Sequence, residues 1–401
     1  MKRILFVDDE PEILDGLRVR LRGMRARWEM MFVESSSQAI AQMDLKPVDV
    51  IVADVRMPGM DGAQLLSVVQ KRWPQTIRIV LSGYAEEDKA VQLLTLAHQY
   101  LNKPCDALQL ESVIDRCLRL HDLLSDARLR ALVGSIKNLP AIPMIYSQLR
   151  EAMASSSTST QDIADIIYKD PSIAARVLQM ANSAFFRLPR PMTRLDQAVG
   201  YLGFNAIRTL SMAAEVFSAW KSNIAPAGLE PLRLQQRAHR VAAAARALCE
   251  EPALADDAML AGLFHNIGYW VLLQECAPEL RRACDVARAE GIALHEAENR
   301  IIGTSHAEVG AYLLGLWGLP QVVVEAIAFQ HYPQRSGQRH FDALAALVAA
   351  LCLTTDDVPP MTEIAQCNDV RFGDGYLESL NSPIGWSEAR QRIAATAGKI
   401  Q

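Results

Sequence analysis

The sequence predicts two fold classes in one chain: an α/β doubly wound, five-stranded parallel sheet at the N-terminus, joined by a helix to an all-α domain. Three observations carry this. Over residues 1–122 short apolar runs alternate with segments of helical period. Past Pro143 the strand signals vanish and helix signals dominate. The length, 401 residues, also exceeds the roughly 150 typical of one domain, so two or three are expected. The predicted divisions are a sheet domain at 1–122, a connector helix at 123–139 and a helical domain at 140–401.

In the sheet domain Ile4–Val7 leads into a helical Glu12–Met24, Met30–Val33 into Gln38–Met43, and Val48–Ala53 into Gln64–Trp73. Ile77–Leu81 and Gln99–Leu101 complete five units. Open α/β sheets place chemistry in the crevice beyond the carboxyl ends of their strands, and the polar residues gather at those ends: Asp8 and Asp9, then Asp54, Ser82, and Lys103-Pro104. Clustered carboxylates repel unless a cation intervenes, and hard oxygen ligands suit Mg²⁺. Lys103 adds a point charge for a phosphate oxygen. An Asp carboxylate in that setting is able to attack a phosphodonor and become an aspartyl phosphate. Each residue also has a bland reading: Asp8 or Asp9 as a cap before Pro11, Asp54 and Asp61-Gly62 as turn residues, Ser82 as a cap, Tyr100 as a core aromatic. Their ordered recurrence at successive strand ends favours a joint role.

These residues resemble the response-regulator receiver domain of two-component signalling, a flavodoxin-like fold, over 1–122. ILFVDDE carries the acidic pair, DVIVADVRMPGMDG the phosphoacceptor Asp54, VLSGY the hydroxyl of Ser82, and YLNKP both Tyr100 and Lys103. The resemblance implies that Asp9, Asp54 and the Arg56 backbone carbonyl bind Mg²⁺, with Asp8 acting mainly through water and Lys103 contacting the phosphoryl group. It implies that Ser82 and Tyr100 form a switch, and that a sensor histidine kinase is the phosphodonor.

Leu110, Val113, Cys117, Leu120, Leu124, Ala127 and Ala131 step by three and four, which reads as an amphipathic connector helix or a short coiled coil through which a homodimer would form. Beyond it, Ser159 with Asp162 and Ser305 with Glu308 read as helix caps. Asp170-Pro171 restarts a helix bearing Ile173, Val177, Leu178 and Met180, and Ala343–Leu353 reads as a buried helix. The tail from Gln334 to Gln401 is expected to complete the helical domain.

His239, His265, His306 and His331 each sit on or beside such a helix. Gathered imidazoles bind transition metals, and a pair of metals activates water for phosphodiester hydrolysis; a histidine beside an apolar stripe is more often a hydrogen-bonded core residue. DPSIAARVLQMANSAFF, AVGYLGFNAIRTL, LAGLFHNIGYWVL and TSHAEVGAYLLGLWGLP followed by AIAFQH resemble the HDOD domain, a relative of the HD phosphohydrolases and HD-GYP phosphodiesterases. Active HD enzymes carry a metal-binding His-Asp pair where this chain has His265-Asn266, and HD-GYP proteins carry lysine where it has Tyr269. A neutral Asn supplies no anionic bridge. The expectation is a non-catalytic output domain with a vestigial cluster of His239, His265, Asn266, His306 and His331 and no transition metal; the alternative is a metal-dependent phosphohydrolase acting on a cyclic dinucleotide.

The formal charge, 41 Lys and Arg against 46 Asp and Glu, is −5. DNA binding would need a local basic surplus, and none stands out in this reading, so no DNA partner is expected. Ala343–Leu353 falls short of the roughly 20 apolar residues a membrane-spanning helix requires. Seven scattered cysteines without a C-x-x-C pair suggest neither a disulfide framework nor a zinc ribbon. The expected protein is cytoplasmic, binds no cofactor other than Mg²⁺, and signals to an unnamed downstream protein.

Overall fold

The computed structural model describes residues 1–82, 96–103, 105–121, 127–136, 148–149, 151–153, 158–182, 191–203, 207, 226, 229–337, 340–354, 380 and 385–397. Two compact units divide the chain, the first built chiefly on Met1–Asn138 and the second on most of the remainder.

The first unit is a five-stranded sheet in the order β2-β1-β3-β4-β5, with every neighbouring pair parallel. Its strands are β1 (Lys2–Val7), β2 (Trp28–Val33), β3 (Val50–Asp54), β4 (Ile77–Ser82) and β5 (Gln99–Asn102). Ile4, Leu5 and Phe6 in β1 and Val50, Ile51 and Val52 in β3 are fully buried, as expected when helices cover both faces of a parallel sheet and its strands become continuous apolar runs. Helices α1 (Pro11–Arg20), α2 (Ser36–Leu45) and α3 (Gly62–Arg72) follow the first three strands. Pro11 opens α1, the Ser35 hydroxyl accepts the Gln38 N–H, and Asp61 and Gln64 form a reciprocal capping box on α3.

Two sequence expectations change here. The helix expected through Met24 ends at Arg20 and tightens into a 3-10 turn over Arg22–Ala26, where Gly23 is a poor helix former. The three-and-four seam is spent inside the unit. In α4 (Ala107–His121) Leu110, Ile114, Cys117 and Leu118 are buried, and in α5 (Ala127–Ser135) Leu129 and Val133 are buried. Leu124 lies outside the described residues, as does the side chain of Leu120. Leu110 and Cys117 are therefore unavailable to the intermolecular seam that their spacing suggested. Helix α5 belongs to the first unit, packing on α3, with the Gly134 carbonyl accepting a 2.7 Å hydrogen bond from the buried Arg78 guanidinium of β4.

The described residues past Asn138, which supply most of the second unit, form helices and no strand: α6 (Thr160–Tyr168), α7 (Pro171–Asn182), α8 (Pro231–Ala247), α9 (Pro252–Phe264), α10 (Ile267–Glu275), α11 (Ala277–Glu290), α12 (Leu294–Ile301), α13 (His306–Leu316), α14 (Gln321–Phe329), α15 (Ala343–Leu353) and α16 (Trp386–Ala397). The apolar run Ala343–Leu351 is buried along its whole length because α15 packs against α8, α9 and α14. Helix α16 packs on α8 and α15, so the tail contributes to this core; residues 355–379 lie outside the described residues. The Ser159–Asp162 capping box on α6 is formed, and Ser305 and Glu308 bond reciprocally at the start of α13. Among the described residues no helix is long and apolar enough to cross a membrane, and the six described cysteines are free. Burial pushes the thiols of Cys105 and Cys117 up to about 11 and those of Cys249 and Cys284 up to about 12, where they are poor nucleophiles.

Candidate functional site

Strand ends bring three of the sheet unit's polar residues together, Asp8, Asp54 and Lys103. Asp54 is the last residue of β3, Asp8 follows β1 and Lys103 follows β5. Lys103 Nζ lies 2.5 Å from Asp54 Oδ1 and 2.7 Å from Asp8 Oδ2. The second Asp54 oxygen accepts the Arg56 N–H at 2.8 Å, and Asp8 Oδ1 accepts the Glu10 N–H at 3.1 Å. Asp8 is 1% exposed and Asp54 6%, while Asp9 and Lys103 are half-buried and the Arg56 side chain is exposed.

Burial raises the Asp54 carboxyl above its ordinary value, against the opposing pull of Lys103. Burial alone would lower Lys103, but its hydrogen bonds and charge attraction to Asp54 and Asp8 outweigh this and hold the ammonium above its ordinary value. Lys103 thus remains a cation between two carboxylates. Asp8 and Asp54 are the two carboxylates brought onto this ammonium; their oxygens are hard donors of the class Mg²⁺ takes, an ion usually held by one or two carboxylates with water.

The backbone at Asp54 has a steric requirement that shapes the crevice. A Cβ on Gly62 would lie 2.1 Å from the Asp54 carbonyl oxygen, so only glycine lets α3 begin this close to β3. Tyr100, 5% exposed, pairs with Val80 across β4 and β5. Ser82 ends β4; its side chain lies outside the described positions.

In the helical unit the structure draws together a different set of residues from the one the sequence suggested. His306, at the start of α13, meets Glu298 Oε2 at 2.8 Å through Nδ1 and again at 2.8 Å through its backbone N–H. Its Nε2 lies 3.3 Å from His331 Nε2. The His295 ring stacks on His331 at 4.1 Å, and the Tyr269 ring stacks on His306 at 4.0 Å. One tautomer assignment satisfies both polar contacts: His306 donates Nδ1–H to Glu298 and accepts His331 Nε2–H. The His306 Nε2 lone pair is then occupied. His265 is buried with Nδ1 2.6 Å from the Gly262 carbonyl, and its own carbonyl accepts the Gln330 amide at 2.9 Å. Asn266 donates to the Leu234 carbonyl at 2.7 Å, tying the α9–α10 corner to α8. His239 stands with Tyr168 and the Lys169 carbonyl instead, and burial lowers its imidazole. Among the described residues no group of three or more His, Cys, Asp or Glu is arranged to hold a metal ion.

His295 and Glu298 escaped the sequence reading. Their i, i+3 spacing places them on one face of α12, the one local signal available. A further correction concerns charge. Arg18, Arg20, Arg22, Arg25 and Arg27 are all exposed, a local basic surplus that the total of −5 conceals. Arg18 pairs with Asp15, and Arg27 with Glu111 and Asp115.

Comparison with known proteins agrees with this geometry. The family profile of the response regulator receiver domain matches residues 4–115, and that of the HDOD domain matches residues 139–333. The hydrogenase transcriptional regulatory protein HoxA of Cupriavidus necator is 38% identical over 103 residues, 25% of this chain and 21% of that protein. The response regulator protein PilR of Pseudomonas aeruginosa is 30% identical over 122 residues, 30% of this chain and 27% of that protein. The chain therefore spans only about a fifth to a quarter of the length of these curated relatives. The crystal structure of a virulence factor from Campylobacter jejuni shares the fold at a TM-score of 0.51 and 22% identity, covering 68% of this chain and 96% of that one.

Proposed function

The chain carries a response regulator receiver domain at residues 4–115 and an HDOD domain at residues 139–333, and on that premise we propose that Asp54 accepts a phosphoryl group from a sensor histidine kinase and that the helical unit answers through protein contacts. The observation that carries the reading is the Lys103 ammonium held between Asp54 and Asp8. In the reaction an Asp54 oxygen attacks phosphorus and the P–N bond to the donor histidine breaks. The electron pair leaves with the imidazole, which takes a proton. Phosphoryl transfer needs little covalent help and relies on positioning and charge neutralisation. Lys103 is placed to follow the phosphoryl oxygens, and the Arg56 N–H fixes the carboxylate's orientation.

Receiver domains are generally Mg²⁺-dependent. Asp9, Asp54 and the Arg56 carbonyl would hold the ion, with Asp8 acting mainly through water, and the ion would supply neutralisation of the phosphoryl charge. Ser82 and Tyr100, on the adjacent strands β4 and β5, are the proposed switch.

For the helical unit, a contact role is favoured over hydrolysis by how its residues are used. Asn266 donates its Nδ2–H to the Leu234 carbonyl, and His306 meets Glu298 through Nδ1 and His331 through Nε2. These are core hydrogen bonds. The downstream partner is proposed to be a protein rather than DNA or a membrane, since in the exposed arginine run Arg18 is paired with Asp15 and Arg27 with Glu111 and Asp115.

Hydrogen exchange of the full chain, with and without acetyl phosphate and Mg²⁺, tests the whole reading. Altered protection in helices between residues 231 and 337 that Asp54→Asn abolishes is the expected result. Changes confined to residues 1–138 would overturn the output role, and an equal response in Asp54→Asn would overturn the phosphoacceptor.

A further inference from the structure

We infer that Ser36 is a positioning residue for the Mg²⁺-binding loop, an inference that rests on the reading of Asp54 as phosphoacceptor and of the Arg56 carbonyl as a metal ligand. The segment Val55–Asp61 joins β3 to α3 and carries Arg56. Both of its ends are tied down. The Arg56 N–H bonds Asp54 Oδ2, the Gly62 N–H bonds the Val55 carbonyl at 2.9 Å, and Asp61 caps α3. Its middle runs over the surface: Pro58, Gly59 and Met60 are exposed, and Gly59 takes a left-handed φ of 76°.

A hydroxyl from another element reaches that middle. Ser36 Oγ, on a residue 4% exposed in the first turn of α2, donates to the Met60 carbonyl at 2.8 Å and lies 4.0 Å from Met57 Sδ. The helix bearing it is itself fixed, by the Ser35 cap and by Ala39 and Met43 at full burial. A buried hydroxyl loses free energy if left unpaired, so the bond to Met60 is a standing constraint on the loop. Without it the ends of the segment hold while its centre is released, and the carbonyl of Arg56 loses its set direction. Residues that orient metal ligands from behind change metal affinity more than they change the chemistry that follows.

Calorimetric titration of the full chain with Mg²⁺ tests this, alongside the rate of labelling by acetyl phosphate. Ser36→Ala is expected to raise the Mg²⁺ dissociation constant about tenfold, while the labelling rate at saturating Mg²⁺ stays within about twofold of the parent. Ser36→Cys keeps the volume but offers a weak donor, and carries the same expectation should the alanine variant fail to fold. Ser37→Ala, which removes the exposed neighbouring hydroxyl, leaves the constant unchanged. A folded Ser36 variant with the parent's Mg²⁺ affinity overturns the role of Ser36 alone. A parent chain that takes up no Mg²⁺, or is labelled elsewhere than Asp54, overturns the underlying reading instead.

Discussion

Lys103 Nζ sits 2.5 Å from Asp54 Oδ1, and the same ammonium holds Asp8. The cation is therefore in place before any phosphoryl group arrives. Replacing Lys103 with Met removes the charge and keeps most of the stem. Labelling of Asp54 by acetyl phosphate should slow roughly a hundredfold, the scale seen when one preorganised donor is taken from a transition state. An unchanged rate would mean that Lys103 serves only to hold the crevice together.

Gly268 touches the histidine cluster through the backbone. A Cβ there would lie 1.9 Å from the His306 carbonyl oxygen and 2.9 Å from the Gly310 nitrogen, where α10 crosses α13. Neither atom belongs to a side chain that can swing away. Gly268→Ala should destabilise the chain by about 3 kcal/mol or more, read as a drop in thermal midpoint; parent-like melting would contradict this crossing.

Glu298 is buried and accepts twice from His306. Glu298→Ala leaves a backbone N–H and an imidazole N–H unpaired in the core, a loss of about 2–4 kcal/mol. Denaturant unfolding should show it, while labelling at Asp54 proceeds at the parent's rate. A variant of parent stability would show that the pair is replaceable.

Asp257 gives a pH dependence with a definite sign. Burial, with the neighbouring Asp256 charge second, pushes its carboxyl from 3.8 to about 6. Its folded value lies above its unfolded one, so this contribution to stability is fully present below the unfolded value and is lost as pH rises through about 6. Asp257 is only half-buried, so solvent screening trims the effect, and Asp257→Asn should exceed the parent in stability at neutral pH by on the order of 1–2 kcal/mol, with the gap closing in acid. Parallel stability curves for the two proteins would remove Asp257 as the cause.

That Asp8, Asp54 and Lys103 meet was legible because they follow strand ends: once Ile4–Val7, Val50–Asp54 and Gln99–Asn102 are read as parallel strands, the three must share one edge of the sheet. The histidine cluster was legible only in part. His306 and His331 carry local signals, but Glu298 and His295 join them through the packing of α12, which no spacing within the chain encodes. The seam at Leu110 and Cys117 left two readings open for the converse reason, since the same period serves an intermolecular stripe and a buried helix face alike. Ser36 gave no signal at all. One serine among three at a helix start reads as a cap, and only the tertiary fold sets its hydroxyl under Met60.

Asp54 carries the proposed function, and the measurement that bears on it most directly is peptide mapping of the chain by mass spectrometry after incubation with acetyl phosphate and Mg²⁺. One phosphoryl group on the peptide containing Asp54, absent from Asp54→Asn and released by hydroxylamine as an acyl phosphate is, is the predicted result. A phosphoryl group on any other residue, or none on a folded chain with Mg²⁺ present, would contradict it.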